Sequence, residues 1–435
     1  MSTAQRVARR RLLAAAGAGG TGALLAACAS GAAAPPQSAA APSATIEYMH
    51  WAAAGGAQAV AREAAAKAFM TATPTITVNV SAVAPSGTML EKFKTTAAAG
   101  TPPDLLTFNT AWYGDLIGSK MVANLDPLAK ASGRGFQRDA FYPEVLSVLT
   151  ADGKLYGLPR FVVTSVLFYN KDLFGRLGVA PPTDGWTWEK EFVEAGQRLK
   201  RDVDGGQAFA MDFAPNDFRD SAVFAWGNDY FDKAARKCVL DDAKAQAALQ
   251  FAYDLRWKSR LLTSPDSEKA MGAQQQFLNA RIGMYPRGNF EYANLQAAKV
   301  QFPIGAALMP RGPGGRRQYG QTTAYGIAEG SKAKEASWEF LKWLVGDAGQ
   351  QHLVNTESIT PATRKIYQSP DVPPEIWKVF TDAIKDARYF PALPNFPAVI
   401  EAVNKELGEA LVADTRSVRD SARAAAEAAN RLIAS

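Results

Sequence analysis

From Thr45 onward, short stretches in which apolar and polar residues alternate give way repeatedly to stretches with helical spacing. This exchange of period leaves few folds open to the chain. "TIEYMHWAAAGG" (Thr45–Gly56) reads as a strand followed by a loop, and Ala57–Met70 as a helix. "TITVNV" (Thr75–Val80) sets Ile76, Val78 and Val80 on one face of a second strand. A second helix near Thr88–Ala99 leads to a third strand, "DLLTFN" (Asp104–Asn109). Strands separated by helices imply a parallel α/β layout.

The alternation continues. "GLPRFVVTSVLFYNKDLF" (Gly157–Phe174) holds extended apolar segments and then a helix. Thr187–Lys200 predicts a helix with Thr187 as N-cap and Glu189 and Glu191 in the first turn, where negative charge suits the helix dipole. Gln207–Phe213 is strand-like, and Asp202–Gln207 before it lacks calcium-loop spacing and reads as a turn. In Asp241–Leu261, Leu249, Ala252, Tyr253, Arg256 and Trp257 fall at i, i+3, i+4, i+7 and i+8, the clearest helical pattern in the chain. Ala280–Pro286, Ile304–Pro310 and "AYGIAEG" read as strands and Arg311–Gln321 as a loop. Lys332–Val345 and roughly Thr415–Ile433 read as helices.

The first residues stand apart. Arg9–Cys28, "RRRLLAAAGAGGTGALLAAC", runs from positive charge to an apolar stretch to small residues, the order of an export signal. Its apolar part, Leu12–Ala27, is 16 residues, whereas a spanning helix needs about 20. The G-x-G-x-x-G at Gly17–Gly22 has no strand before it and no βαβ unit around it, so it is no nucleotide loop. Arg9-Arg10 resembles the twin-arginine export motif, and Leu25-Ala26-Ala27-Cys28 resembles a lipobox. The resemblance implies that residues 1–27 are a signal peptide and that Cys28 is lipidated, anchoring the chain to the outer face of the cytoplasmic membrane. The Ala/Pro/Ser-rich residues 28–44 carry no charge and too little apolar surface to offset ordering, so they form a flexible tether.

Charge and composition narrow the function. Four of the 48 basic residues, Arg6, Arg9, Arg10 and Arg11, precede Cys28 and no acid does, so 44 basic face 42 acidic residues in the remainder. That near-neutral body lacks the concentrated basic face of a nucleic-acid binder. Cys28, Cys238, His50 and His352 cannot build a Cys-based zinc cluster or a His-x-x-x-His helix, and no metal or cofactor is expected. Gly-x-Ser-x-Gly, His-Glu-x-x-His and a Walker A motif are absent. An exported glycoside hydrolase would need two carboxylates about 5–9.5 Å apart; Asp217 and Asp229 are candidates that no motif supports, and the chain is not expected to be an enzyme.

Several blocks, in order, resemble the extracellular solute-binding proteins of ATP-driven importers, in the branch that mostly binds sugars. They are "TPPDLLTFNTAWYGDLIGSKMVANLDPL", "GKLYGLPRFVVTSVLFYNKDLFGRLGVAPPTDGWTWEKEF", "FLNARIGMYPRGNF" and "YGQTTAYGIAEGSKAKEASWEFLKWLVGDAGQQHL". The resemblance implies an α/β, two-lobed periplasmic-binding-protein-like fold with a hinge and a ligand cleft between lobes. Chain crossings would fall near Tyr156–Pro159, Ile304–Pro310 and Ile359. Lobe 1 would hold residues 45–156 and 310–358, and lobe 2 residues 157–309 and 359–435. It also implies a monomer that binds a mono- to oligosaccharide and passes it to two membrane permease subunits served by a separate ATPase. An acidic or phosphorylated solute, such as a glycerol phosphodiester, is the alternative. Where many relatives carry Trp after the Met284 strand, this chain has Gly288-Asn289-Phe290, with a smaller ring.

A sugar presents an apolar C–H face, which aromatic rings cover, and a rim of hydroxyls, which amides, carboxylates and arginines satisfy. Residues of those types just after strands, at the carboxyl ends where α/β folds bind ligands, are the candidates. Trp51 follows the first strand, and is either a cleft or a core residue. Asn109, Trp112 and Tyr113 follow the third; one of the two rings should pack under the helix, leaving Trp112 at the cleft. Arg160 sits at the first crossing, as ligand contact or ion pair. Asn216, Asp217, Trp226 and Asn228 form the densest polar and aromatic group, with lobe core as the other reading of Trp226. Arg287, Asn289 and Phe290 follow a later strand. Gly320 and Gln321 follow the second crossing, where the absent side chain admits a ligand closely. Arg364 follows the third, as ligand contact or solvated charge. Trp186, Trp188, Trp257, Trp338 and Trp343 have helical or capping spacing and read as core.

Overall fold

The three early strands form where the alternation puts them, as β1 (Ala44–His50), β2 (Ile76–Ala82) and β3 (Leu105–Asn109). They come from a computed structural model that describes residues 44–434 other than 204–205, 233–235 and 366. The signal segment, Cys28 and the tether up to residue 43 lie outside the described residues. Helices α1 (Ala57–Ala72) and α2 (Ser86–Ala98) make the crossovers, and β1 pairs in parallel with both β2 and β3.

The later strands are β4 (Leu158–Asn170), β5 (Arg201–Val203), β6 (Gly206–Met211), β7 (Ile282–Gly288), β8 (Ile304–Ala307), β9 (Gln318–Ile327) and β10 (Ala387–Arg388). One sheet takes the order β2-β1-β3-β9-β4-β7-β6-β5, with β8 on β4 and β10 on β9. β4 is its spine. Residues Leu158–Thr164 pair antiparallel with β9, and Ser165–Tyr169 pair antiparallel with β7. Every residue of β4 but Phe161 is buried, as expected of a strand covered on both faces.

The cores follow the two halves of β4. Leu158 and Val162 belong to a core built on Ile46, Tyr48, Leu105 and Phe108. Farther along, alternate residues face opposite ways. Leu167 and Tyr169 join Trp188, Phe218 and Trp226, while Val166 and Phe168 join Ile282, Tyr285 and Phe380. The C-terminal helices Phe396–Leu411 and Val418–Ala434 close the second core through Val403, Leu407, Ala422 and Ala425. The α/β class is as expected, with separate cores on either side of the middle of β4.

Three local expectations change. Thr187 does not cap with its hydroxyl; that hydroxyl and the Thr187 N–H instead donate to Glu191 at 2.7 and 2.9 Å, so the first-turn carboxylate does the capping. The loop expected over Arg311–Gln321 ends at Arg317, because Gln318–Gln321 are recruited into β9 by β10 and β4. The long helix expected over Asp241–Leu261 is α3 (Ala243–Tyr253), capped by Asp242, followed by a π-helical turn at Asp254–Lys258.

Candidate functional site

Strand register locates the site. Phe161 lies opposite Thr323, and Thr323 lies opposite Asn109, the last residue of β3. Farther along β4, Ser165 lies opposite Gly288, the last residue of β7. The carboxyl ends of β3 and β7 therefore point at one another across Phe161–Ser165, an interval of about 13 Å at the rise of a strand. Carboxyl ends of α/β strands are where such folds take ligands. The segment Thr360–Pro361 meets the same place, since Val162 N–H donates to Thr360 O at 3.1 Å and Phe161 bridges to Pro361.

On the β3 side, Trp51 and Trp112 meet edge to face, 5.7 Å apart at 72°, and both are half-buried. Tyr113 is the ring that packs, fully buried and stacked 5.6 Å from Phe108. Arg62 Nη1 fixes the turn after β1, reaching Trp51 O at 2.6 Å and His50 Nδ1 at 2.7 Å. Burial, with Arg62 beside it, pushes the His50 imidazole down to about 3, so this histidine stays neutral. Asn109 Oδ1 accepts from Ala111 N–H at 2.9 Å and starts the short helical turn that carries Trp112.

In the middle, Asn109, Gly320 and Gln321 line a small space of about 40 Å³ together with Tyr319, Tyr389 and Phe390. Glycine at 320 is a packing requirement: a Cβ there would sit 2.9 Å from the Tyr389 ring and 3.0 Å from Ala387 Cβ.

On the β7 side, Ser165 Oγ donates to Asp217 Oδ1 at 2.6 Å. Asp217 stands on a π-helical turn, Pro215–Asp220. Burial raises its carboxyl to about 6; the Ser165 bond and Arg287 hold it down, and Asp212 and Asp220 push it up. Both neighbouring acids have their own arginines, Asp212 with Arg287 at 2.7 Å and Asp220 with Arg219 at 2.7 Å. Arg287 also lies over the Tyr285 ring, 4.4 Å from its centre. Asn289 is buried and donates to Thr360 Oγ1 at 2.8 Å, and Phe290 is 37% exposed.

Other candidates lie elsewhere. Trp226 is 8% exposed and packs 4.9 Å from Phe251 in the second core. Asn228 spends its amide on Val239 O, Asp242 and the Tyr230 N–H, pinning a turn. Arg160 is buried in an ion pair with Glu357. Arg364 is exposed and bonded to Phe141 O at 3.1 Å, beside a different cavity. Asn216 is exposed, as is Asp229, the second carboxylate of the hydrolase reading. Sequence reasoning passed over Ser165, Asp212, Tyr319, Tyr389 and Phe390. Ser165 had a visible signal, a hydroxyl inside an apolar strand; the Tyr389-Phe390 pair, far along the chain, had none.

Among the described residues no cluster of three or more His, Cys, Asp or Glu could hold a metal, and no helix is long and apolar enough to cross a membrane. The site is thus an open set of rings, amides, a hydroxyl and one carboxylate without an arginine of its own.

The sequence profile of the bacterial extracellular solute-binding proteins matches residues 17–351. The chain belongs to this family. Among its relatives, a putative binding protein of Brucella abortus is 25% identical, over 78% of this chain and 82% of that one. The arabinooligosaccharide-binding protein of Bacillus subtilis is 27% identical, over 67% of each chain. The solute-binding protein described here also shares its fold with an ABC substrate-binding protein of Listeria monocytogenes solved in complex with cycloalternan. That likeness has a TM-score of 0.76 at 19% identity and covers 89% of this chain and 98% of the other. The family and these relatives are binding proteins.

Proposed function

We propose that this protein is the lipid-anchored, extracytoplasmic subunit of an ABC importer, that it binds a mono- to oligosaccharide in a cleft at the middle of β4, and that it delivers the sugar to the permease. The observation that carries the reading is the convergence there of Trp51 and Trp112, Asn109 and Gln321, and the Ser165–Asp217 pair. Rings cover the apolar face of a sugar, and amide and carboxylate oxygens meet its hydroxyls. The remaining candidates stand outside this set: Trp226 and Arg160 are buried, Asn228 spends its amide on its own turn, Arg364 lies beside another cavity, and Asn216 is exposed to solvent. The chain forms two lobes, and the crossings between them form the hinge. Cys28 carries the lipid after twin-arginine export, and the separate ATPase drives uptake.

A neutral sugar is favoured over an acidic or phosphorylated solute because the arginines an anion would seek are engaged: Arg160 with Glu357, Arg287 with Asp212. Thermal unfolding of the full chain against neutral sugars, sugar phosphates and glycerol phosphodiesters tests the reading. A ligand at about 100 times its Kd adds about 2.7 kcal/mol to stability. A shift with neutral saccharides alone is expected; a shift with phosphorylated solutes alone would overturn it.

A further inference from the structure

Trp257 reads as core in the sequence, yet it stands half-buried in the wall of a cavity of about 540 Å³, against about 40 Å³ at the middle of β4. The cavity opens beside Gln207 and Arg281, at the amino ends of the parallel pair β6 and β7. Asp212 and Arg287 stand at the carboxyl ends of those strands, about 17–20 Å from that rim at strand rise. The mouth of the cavity is therefore remote from the cleft, while Arg256 in its wall reaches inward to lie over the ring of Phe213, the residue after Asp212, 4.3 Å from its centre.

Its walls combine two kinds of surface. Phe209, Trp257 and Met271 are apolar, while Arg256, Arg260 and Arg281 also line it and no described lining residue is acidic. Arg281 has a partner of its own. Arg256 gives one N–H to Glu268 at 2.9 Å and is 2% exposed, but its Nε and Nη1 have no partner, and neither has Nε1 of Trp257. Burial lowers the proton affinity of Arg256 even with Glu268 beside it. A buried guanidinium with open donors is costly until an acceptor reaches it. Arg260, exposed, brings a second fixed cation to the same wall.

We propose that this cavity is a second binding site, for a small organic anion with a flat apolar body, an aromatic carboxylate being its simplest form. The ring lies against Trp257 and Phe209, and the carboxylate accepts from Arg256 and Arg260. Calorimetric titration of the full chain with benzoate, benzyl alcohol and inorganic phosphate tests this. Benzoate should bind at least about tenfold more tightly than either other probe, which lacks the charge or the ring. Arg260→Gln, at an exposed position that leaves the core intact, should weaken benzoate about tenfold, the worth of one charge-assisted hydrogen bond. Ala270→Trp, which puts a ring into the cavity from its exposed wall, should abolish binding. The proposal falls if benzoate gives no binding heat, if benzyl alcohol or phosphate matches it, or if either variant binds benzoate as the parent chain does.

Discussion

Asp217→Asn should make the protein more stable and a poorer binder at once. The folded state raises this carboxyl from 3.8 to about 6, chiefly by burial. Between those values the native chain holds a proton that the unfolded chain has lost, so wild-type stability falls as pH rises through the interval and is lowest above about 6. The difference corresponds to about 3 kcal/mol as an upper bound. Asp217 is only partly buried and Asn keeps an oxygen for Ser165, so about 1–2 kcal/mol is the expected gain at pH 8. Below about pH 4 both states of the wild type are protonated and the gain should vanish. Urea denaturation of both chains at pH 8, 6 and 4 measures it, beside the Kd of any saccharide found by thermal shift. A residue kept at a cost in stability is the mark of a functional position. An Asn variant no more stable at pH 8 would refute the electrostatic reasoning. A stabilised variant with unchanged sugar affinity would remove Asp217 from the cleft.

Three further outcomes are expected. Glu357→Ala leaves Arg160, 1% exposed, without its counter-charge and should cost about 3–5 kcal/mol in urea denaturation; a loss below about 1 kcal/mol would mean water reaches Arg160. Trp226→Ala should cost about 3–5 kcal/mol of folding stability through the hole left against Phe251, whereas a change confined to sugar affinity would return Trp226 to the cleft. Cys238 is fully buried and its thiol is pushed up to about 12, so in a Cys28→Ser chain a thiol reagent at pH 8 should label it only on unfolding; rapid labelling of the native chain would show that the second core opens.

The sequence by itself determined what local periodicity and spacing encode. Alternating Ile76, Val78 and Val80, the apolar run of β4 and the Leu249–Trp257 pattern specify strands and helices through nearest-neighbour burial, and their order specifies the α/β class. The strand-end positions of Trp51, Asn109 and Trp112 were also legible, because the end of a strand is visible in the chain itself. Tertiary structure decided the rest. Gln318–Gln321 joined a strand only because a segment near residue 387 supplied neighbours for its first two residues and β4 for Gly320 and Gln321. Tyr389 and Phe390 came to Asn109 from 280 residues away, which no local pattern encodes. Trp226 and Trp112 look alike in sequence, each a ring after a strand amid polar residues. One is buried because Phe251 covers it, while the other, packed on the core of the β3 side and meeting Trp51 edge to face, stays half-open. Which face of a ring meets solvent depends on what the rest of the chain lays over it, and that is fixed by packing between distant segments.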